Sequence, residues 1–110
     1  MHTRKLGNSG ITILPFAFGG NVFGWTADQA MSFRLLDRCV EAGITLIDTA
    51  DVYSAWMPGH KGGESETVIG AWLKARGPAA RAKIVIATKV GMLETRPGLK
   101  KANIIAACDD

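Results

Sequence analysis

The run Leu35-Leu36-Asp37-Arg38-Cys39-Val40-Glu41-Ala42-Gly43-Ile44-Thr45-Leu46-Ile47-Asp48 changes its apolar period in the middle. Up to Val40 the apolar residues are Met31, Leu35, Leu36, Cys39 and Val40, the three-to-four spacing of one helix face. Gly43 stands where a helix end takes a left-handed residue. Ile44, Thr45, Leu46 and Ile47 then make a short, partly β-branched run, which predicts a strand ending on the acid Asp48. Upstream, Thr26 with Gln29 three residues on has the form of a capping box and predicts the start of the helix.

Read outward, the same alternation repeats. A loop from Thr49 to Gly63 leads to a second helix from about Glu64-Ser65, with Val68, Ile69, Trp72 and Leu73 as its apolar face. Gly77-Pro78 stops it. Lys83-Ile84-Val85-Ile86-Ala87-Thr88 predicts the next strand, with Lys89 just beyond. After a loop through Pro97, Lys100 to Cys108 predicts a helix with Ile104, Ile105 and Cys108 on one face. Towards the N-terminus, Arg4-Lys5-Leu6 and Ile11-Thr12-Ile13 flank Gly7-Asn8-Ser9-Gly10, a β-hairpin pattern. Phe16-Ala17-Phe18, ahead of Gly19-Gly20, predicts a first buried strand. A hairpin followed by alternating strands and helices predicts parallel strands near residues 16–18, 44–48 and 84–88, in sequential order, with helices on one side. Both a (β/α) barrel and a doubly wound sheet fit this order, and three strands cannot close a barrel of eight.

Composition removes several classes. The 110 residues are 47% hydrophobic and 21% charged with a formal net charge of +3, an ordinary globular balance. The basic residues are scattered and lack a stripe interleaved with aromatics, so no nucleic acid partner is expected. No apolar run approaches the ~20 residues that cross a bilayer, and no signal peptide is read at the start, so no membrane partner and a cytoplasmic location are expected. Cys39 and Cys108 lie far apart, which predicts two reduced core thiols, with neither a disulfide framework nor a metal site. There is no G-x-G-x-x-G after a strand, and Gly59 to Ser65 lacks the Lys-Ser/Thr order of a P-loop. His60 within that segment reads as an exposed loop residue. The sequence sets no oligomeric state.

The strand ends carry the chemistry. Asp48 ends the second strand, Tyr53 follows in its loop, and Lys89 ends the third. Singly, a turn cap, a packing ring and a solvated amine explain them. Together at one edge of a parallel sheet, an acid, a phenol and an amine form a proton-transfer set. An unperturbed phenol titrates near ~10, too high for an efficient donor at neutral pH, and a nearby ammonium favours the phenolate.

Two segments make the reading specific: Gly43 to Tyr53 (Gly-Ile-Thr-Leu-Ile-Asp-Thr-Ala-Asp-Val-Tyr) and Glu64 to Gly70 (Glu-Ser-Glu-Thr-Val-Ile-Gly). With Arg4-Lys5-Leu6-Gly7, Ser9-Gly10, Phe18-Gly19-Gly20-Asn21 and Ala87-Thr88-Lys89, they resemble the aldo-keto reductase family across essentially the whole chain. The resemblance implies an α/β fold: an N-terminal hairpin plus the first three βα units of a (β/α)8 TIM-type barrel, incomplete in this chain. Residues 1–110 would then be a partial reductase domain, truncated at its C-terminus. It implies NADP(H) as cofactor and a small-molecule carbonyl substrate, an aldehyde or ketone. Tyr53 matches the family's general acid, Lys89 the residue that lowers its pKa, and Asp48 the partner of Lys89 and part of the cofactor site. Gly20 and Asn21 match positions near the nicotinamide. Trp25, Trp56 and Met57 are candidates for the substrate mouth. The segment from Ser54 to Gly63 is longer than the family's usual glycine-rich link. The family's catalytic histidine follows a fourth strand and its adenine-side phosphate ligands lie near the last strands, so these 110 residues alone are expected to be inactive. A non-catalytic cofactor-binding module resembling potassium-channel β-subunits is the alternative, and the absence of an extra segment before the hairpin favours the enzyme.

Overall fold

The computed structural model describes residues 2–110. Strands β1 (Arg4–Lys5) and β2 (Thr12–Ile13) pair antiparallel, the predicted hairpin. Three strands, β3 (Ala17–Gly19), β4 (Leu46–Asp48) and β5 (Val85–Ala87), form a parallel sheet in the order β3-β4-β5. Helix α1 (Gln29–Glu41) joins β3 to β4, and α2 (Glu64–Arg76) with the short α3 (Pro78–Arg81) joins β4 to β5. Beyond β5, a second small hairpin of β6 (Met92–Leu93) and β7 (Arg96–Pro97) precedes α4 (Lys101–Asp109). The sheet is α/β, parallel and unclosed, with β3 and β5 as its edges.

The sheet strands are shorter than their apolar runs, for local reasons. At Pro15 the chain turns, Phe16 N–H donating to Leu14 O at 2.7 Å, and Phe16 is left 59% exposed while pairing starts at Ala17. Ile44 falls inside the ending of α1, whereas the Thr45 carbonyl already accepts from Val85 N–H at 2.8 Å just ahead of the strand. At the helix end Gly43 N–H bonds to Val40 O at 3.1 Å and Ile44 N–H to Cys39 O at 2.8 Å, around a φ of 76° at Gly43. This is the two-bond helix ending that a glycine favours. The start of α1 corrects the expected capping box. Asp28, not Thr26, caps the helix, its Oδ1 accepting from Met31 N–H at 2.8 Å. Thr26 lies in a tight loop closed by Gly24 N–H to Ala27 O (2.9 Å) and Ala27 N–H to Val22 O (2.9 Å), and Gln29 is thereby the first helical residue.

Register decides which side is core. Phe18, Ile47 and Ile86 are cross-strand partners. They meet a cluster of Phe23, Leu36, Cys39, Val68, Ile69, Trp72 and Ile84 built from α1, α2 and flanking turns. Side chains alternate along a strand, so the rows Ala17-Leu46-Val85 and Gly19-Asp48-Ala87 take the opposite face. Among the described residues that face carries no helix of this core, and Ala17 and Ala87 are exposed.

Helix α4 departs from expectation. It leans on β7, where the Asn103 amide donates to Gly98 O at 2.7 Å and Arg96 O at 3.1 Å. Ile104 and Ile105 stay 43% and 52% exposed, and a cleft of about 890 Å³ separates the helix from α2. Cys39 is a core thiol as expected, whereas Cys108 is exposed because its helix stands off the core.

Helices α1 and α2 are joined on their outer side by a charged clamp. Asp37 accepts two bonds from Arg76 (2.9 and 2.7 Å) and one from the Trp72 indole N–H (2.9 Å). The Arg76 hydrogen bond holds the Asp37 carboxyl below its ordinary value, with smaller help from Trp72 and against partial desolvation. A depressed carboxyl stabilises the fold fully above its unfolded value of about 3.9, and that contribution disappears as pH falls through the lower folded value. Asp37→Asn should therefore lower the urea midpoint at neutral pH, with the difference from wild type closing below about pH 3 to 4. Equal midpoints at pH 7 would show that the clamp contributes nothing.

Candidate active site

The parallel register sets Asp48 level with Ala87. Main-chain pairing continues past both strands, Thr49 N–H donating to Ala87 O at 2.8 Å and Asp51 N–H to Lys89 O at 3.1 Å. Those two rungs carry Lys89 over the end of β4. Its Nζ lies 2.9 Å from Asp48 Oδ2, 2.9 Å from the Thr49 carbonyl and 3.1 Å from Tyr53 Oη. An ammonium has three N–H donors, and each has its own acceptor here. Tyr53 Oη accepts from Lys89, and its own hydrogen has no acceptor among the described residues. The expected trio is thus brought together, with the Lys89 and Asp48 side chains 52% and 37% exposed.

Opposing effects act on Lys89. Partial burial pulls its pKa down, but hydrogen bonds and charge from Asp48 and then Tyr53 outweigh this, and the net shift is upward. The ammonium therefore stays charged at neutral pH.

The Aldo/keto reductase family profile matches residues 15–110. The chain belongs to the aldo/keto reductase family. An uncharacterized 11.2 kDa protein in the crtE 3′ region of Pseudescherichia vulneris is 60% identical over 91 residues, covering 83% of this chain and 87% of that one. The 6-dehydroglucose reductase of Novosphingobium aromaticivorans is 35% identical over 114 residues, covering 97% of this chain and 35% of that enzyme. Among solved structures, an aldo-keto reductase from Bacillus halodurans in its holo form superposes with a TM-score of 0.64 at 35% identity. That superposition covers 83% of this chain and 26% of the enzyme, so the chain spans about a quarter to a third of these two longer relatives.

Other expected residues of this reductase-family chain fall around the same rim. Gly20 opens a single 3₁₀ turn (Gly20–Val22) directly after β3. A Cβ on Gly20 would meet Asp48 O at 2.8 Å and the Phe23 ring at 3.3 Å, so the close approach of two strand ends requires glycine there. Asn21 is exposed, with its Oδ1 over Gly19. Trp56 packs edge-on to Tyr53 with ring centroids 5.7 Å apart, and Trp25 packs on Trp56 at 5.4 Å. Both tryptophans keep an open face, 42% exposed for Trp25 and 48% for Trp56. Met57 is half-buried in the loop turn, its N–H donating to Ser54 O at 3.1 Å. A hollow of about 210 Å³ beside the phenol is lined by Ala50, Asp51, Val52, Tyr53, Lys89 and Met92, among others.

The structure also shows what the sequence reading missed. His60 is half-buried rather than an exposed loop residue, its Nδ1 lying 3.0 Å from Ser54 Oγ and 3.2 Å from Ser54 O. The loop curls back on itself after Tyr53, and His60 closes it. Thr49 and Ser65 are fully buried and hydrogen-bonded to each other. The signal for Ser65 was present: it stands at helical spacing from Val68, Ile69 and Trp72, a hydroxyl on an apolar face.

The pH behaviour of Lys89 tests this geometry. Asp48→Asn removes the opposite charge and should shift the pH profile of Lys89 acetylation to lower pH, with Tyr53→Phe moving it the same way by less. Competitive labelling read by mass spectrometry measures it. A Lys89 profile indifferent to Asp48 would mean that the ion pair does not persist in solution.

Proposed function

We propose that this chain carries the N-terminal hairpin and first three βα units of a (β/α)8 reductase barrel, and that the whole protein reduces an aldehyde or ketone with NADP(H). The observation that carries the reading is the Lys89 ammonium bridging Asp48 and Tyr53 Oη at 2.9 and 3.1 Å. The family assignment and the length of the relatives support the barrel. A cytoplasmic location goes with the same reading. Among the described residues, no helix is long and apolar enough to cross a membrane.

The rim fits a flat cofactor ring. Gly20, Asn21 and Asp48 sit together at the ends of β3 and β4, and the adjacent sheet positions Gly19 and Ala87 are small and exposed. When bound there, NADPH supplies the hydride that the carbonyl carbon gains. Tyr53 supplies the proton: its O–H donates to the substrate oxygen, the new O–H bond forms as the phenol bond breaks, and the product is an alcohol. The phenolate left on Tyr53 faces the Lys89 ammonium, which stabilises it. Asp48 holds that ammonium in place. Trp25 and Trp56 offer open aromatic faces beside the phenol, suited to the apolar face of a ring-shaped substrate. The 35% identical relative that acts on 6-dehydroglucose makes sugar-derived carbonyls the first compounds to assay.

In the barrel-length protein, Tyr53→Phe should lower turnover by ~10²–10⁴-fold, the usual worth of a positioned general acid, with NADPH binding little changed. Near-normal reduction by the variant would reduce Tyr53 to a packing residue. These 110 residues alone should neither bind NADPH tightly nor turn over aldehydes, which fluorescence titration, sedimentation and an aldehyde assay check. A soluble monomer with measurable turnover would place the complete site within them.

A further inference from the structure

Two buried hydroxyls beside the site have no part in the chemistry above. Ser65 Oγ donates to the Gly20 carbonyl at 2.7 Å, and Thr49 Oγ1 lies 2.8 Å from Ser65 Oγ. A hydroxyl has one hydrogen, and that of Ser65 is committed to Gly20, so Thr49 is the donor to Ser65. The chain of donation therefore runs one way, from the end of β4 through the first turn of α2 to the end of β3. Thr49 and Ser65 are 1% and 0% exposed, so no water competes for these bonds.

The other side of Thr49 faces the ammonium. Its carbonyl is the third acceptor of Lys89, at 2.9 Å. The main chain around it is held by two rungs, from Thr49 and Asp51 to the Ala87 and Lys89 carbonyls, and further along by Gly63 N–H to Asp51 O at 2.6 Å and Ser65 N–H to Tyr53 O at 3.2 Å. The two rungs lead to Ala87 at the end of the edge strand β5 and to Lys89 just beyond it, and so tie Thr49 to the segment that carries Lys89 itself. The hydroxyl chain ties the Thr49 side chain itself to the first turn of α2 and, through it, to the end of β3.

We infer that Thr49 and Ser65 are positioning residues for Lys89: the Thr49–Ser65–Gly20 hydroxyl chain fixes the Thr49 carbonyl as the ammonium's third acceptor and so aims Nζ at Tyr53 Oη. Only the kinetic consequence rests on the reductase reading; the geometric claim stands without it. Freed of this tie, the 49–50 peptide can turn, and Lys89 loses the Thr49 carbonyl as an acceptor and with it its aim at the phenol.

Thr49→Val keeps the shape and deletes the hydroxyl. Ser65 retains its acceptor at Gly20, so no buried donor is stranded. Ser65→Ala is harsher, because it strands the Thr49 O–H. In the full chain, competitive acetylation should show the Lys89 profile displaced to lower pH in Thr49→Val and in Ser65→Ala, with the double variant moving no further. Thr49→Ser should restore the wild-type profile. Thr67→Ala deletes another hydroxyl in the same turn, one that donates to Gly63 O at 2.7 Å, and should change nothing. In a reductase assay each single variant should lower kcat on the order of 10- to 100-fold with KM little changed, the cost of a catalytic group slightly misplaced.

An unmoved Lys89 profile in Thr49→Val, with the near-ultraviolet tryptophan spectrum intact, would overturn the proposal. So would Thr49→Ser moving the profile as far as Thr49→Val, and this pair decides the matter if Ser65→Ala does not fold. Tyr53→Phe assayed alongside separates the two readings. Normal turnover in that variant, with the Lys89 profile shifted in Thr49→Val, would remove the reductase reading and leave the positioning intact. A Tyr53-dependent activity that ignores Thr49→Val would do the reverse.

Discussion

Side chains on a strand alternate, and in this sheet one alternation settles everything above it. The row Phe18-Ile47-Ile86 faces the helices, so the rows on either side of it must face away. A slip of β4 by one residue would turn Leu46 and Asp48 into the cluster around Trp72 and leave Ile47 outside. A carboxylate in that cluster would have no partner, and such burial costs several kcal/mol. The apolar packing of Ile47 therefore does the work of aiming Asp48. From there, main-chain pairing with β5 brings Lys89 across, and the loop after Thr49 returns Tyr53 to the same edge.

How much of this could be read beforehand follows from how local each feature is. The alternation of elements, the parallel order and the glycine ending of α1 depend on periodicity and on one residue's backbone freedom, and both lie open in the sequence. The cap of α1 depends on a choice between Thr26 and Asp28, two residues apart and both good caps. The loop from Val22 to Ala27 takes Thr26 away, which no local rule foresees. Phe16 is apolar but precedes the pairing because Pro15 turns the chain. The β6–β7 hairpin and the stance of α4 depend on contacts between short segments with little apolar surface of their own. There periodicity correctly gave a helix over Lys100 to Cys108, yet not the element it leans on.

The site divides in the same way. Asp48, Tyr53 and Lys89 were legible because each ends a strand or follows one, and the parallel order gathers strand ends. Thr49 and Ser65 were legible only as anomalies of pattern, polar residues where burial was expected. His60 was missed because its place depends on the loop folding back to Ser54, a contact between residues six apart with no periodic signature.

The clamp between α1 and α2 has a consequence for the order of assembly. Asp37 and Arg76 are 39 residues apart, and Trp72 reaches the same carboxylate. All three precede β5. The first two strands and helices can join around Leu36, Ile47 and Trp72 without help from the segment that carries Lys89. The lysine would then arrive on a strand that adds to a finished edge, meeting Asp48 already turned outward. The negative partner is oriented by a core that the positive one does not help to build, so the ammonium docks on acceptors already set.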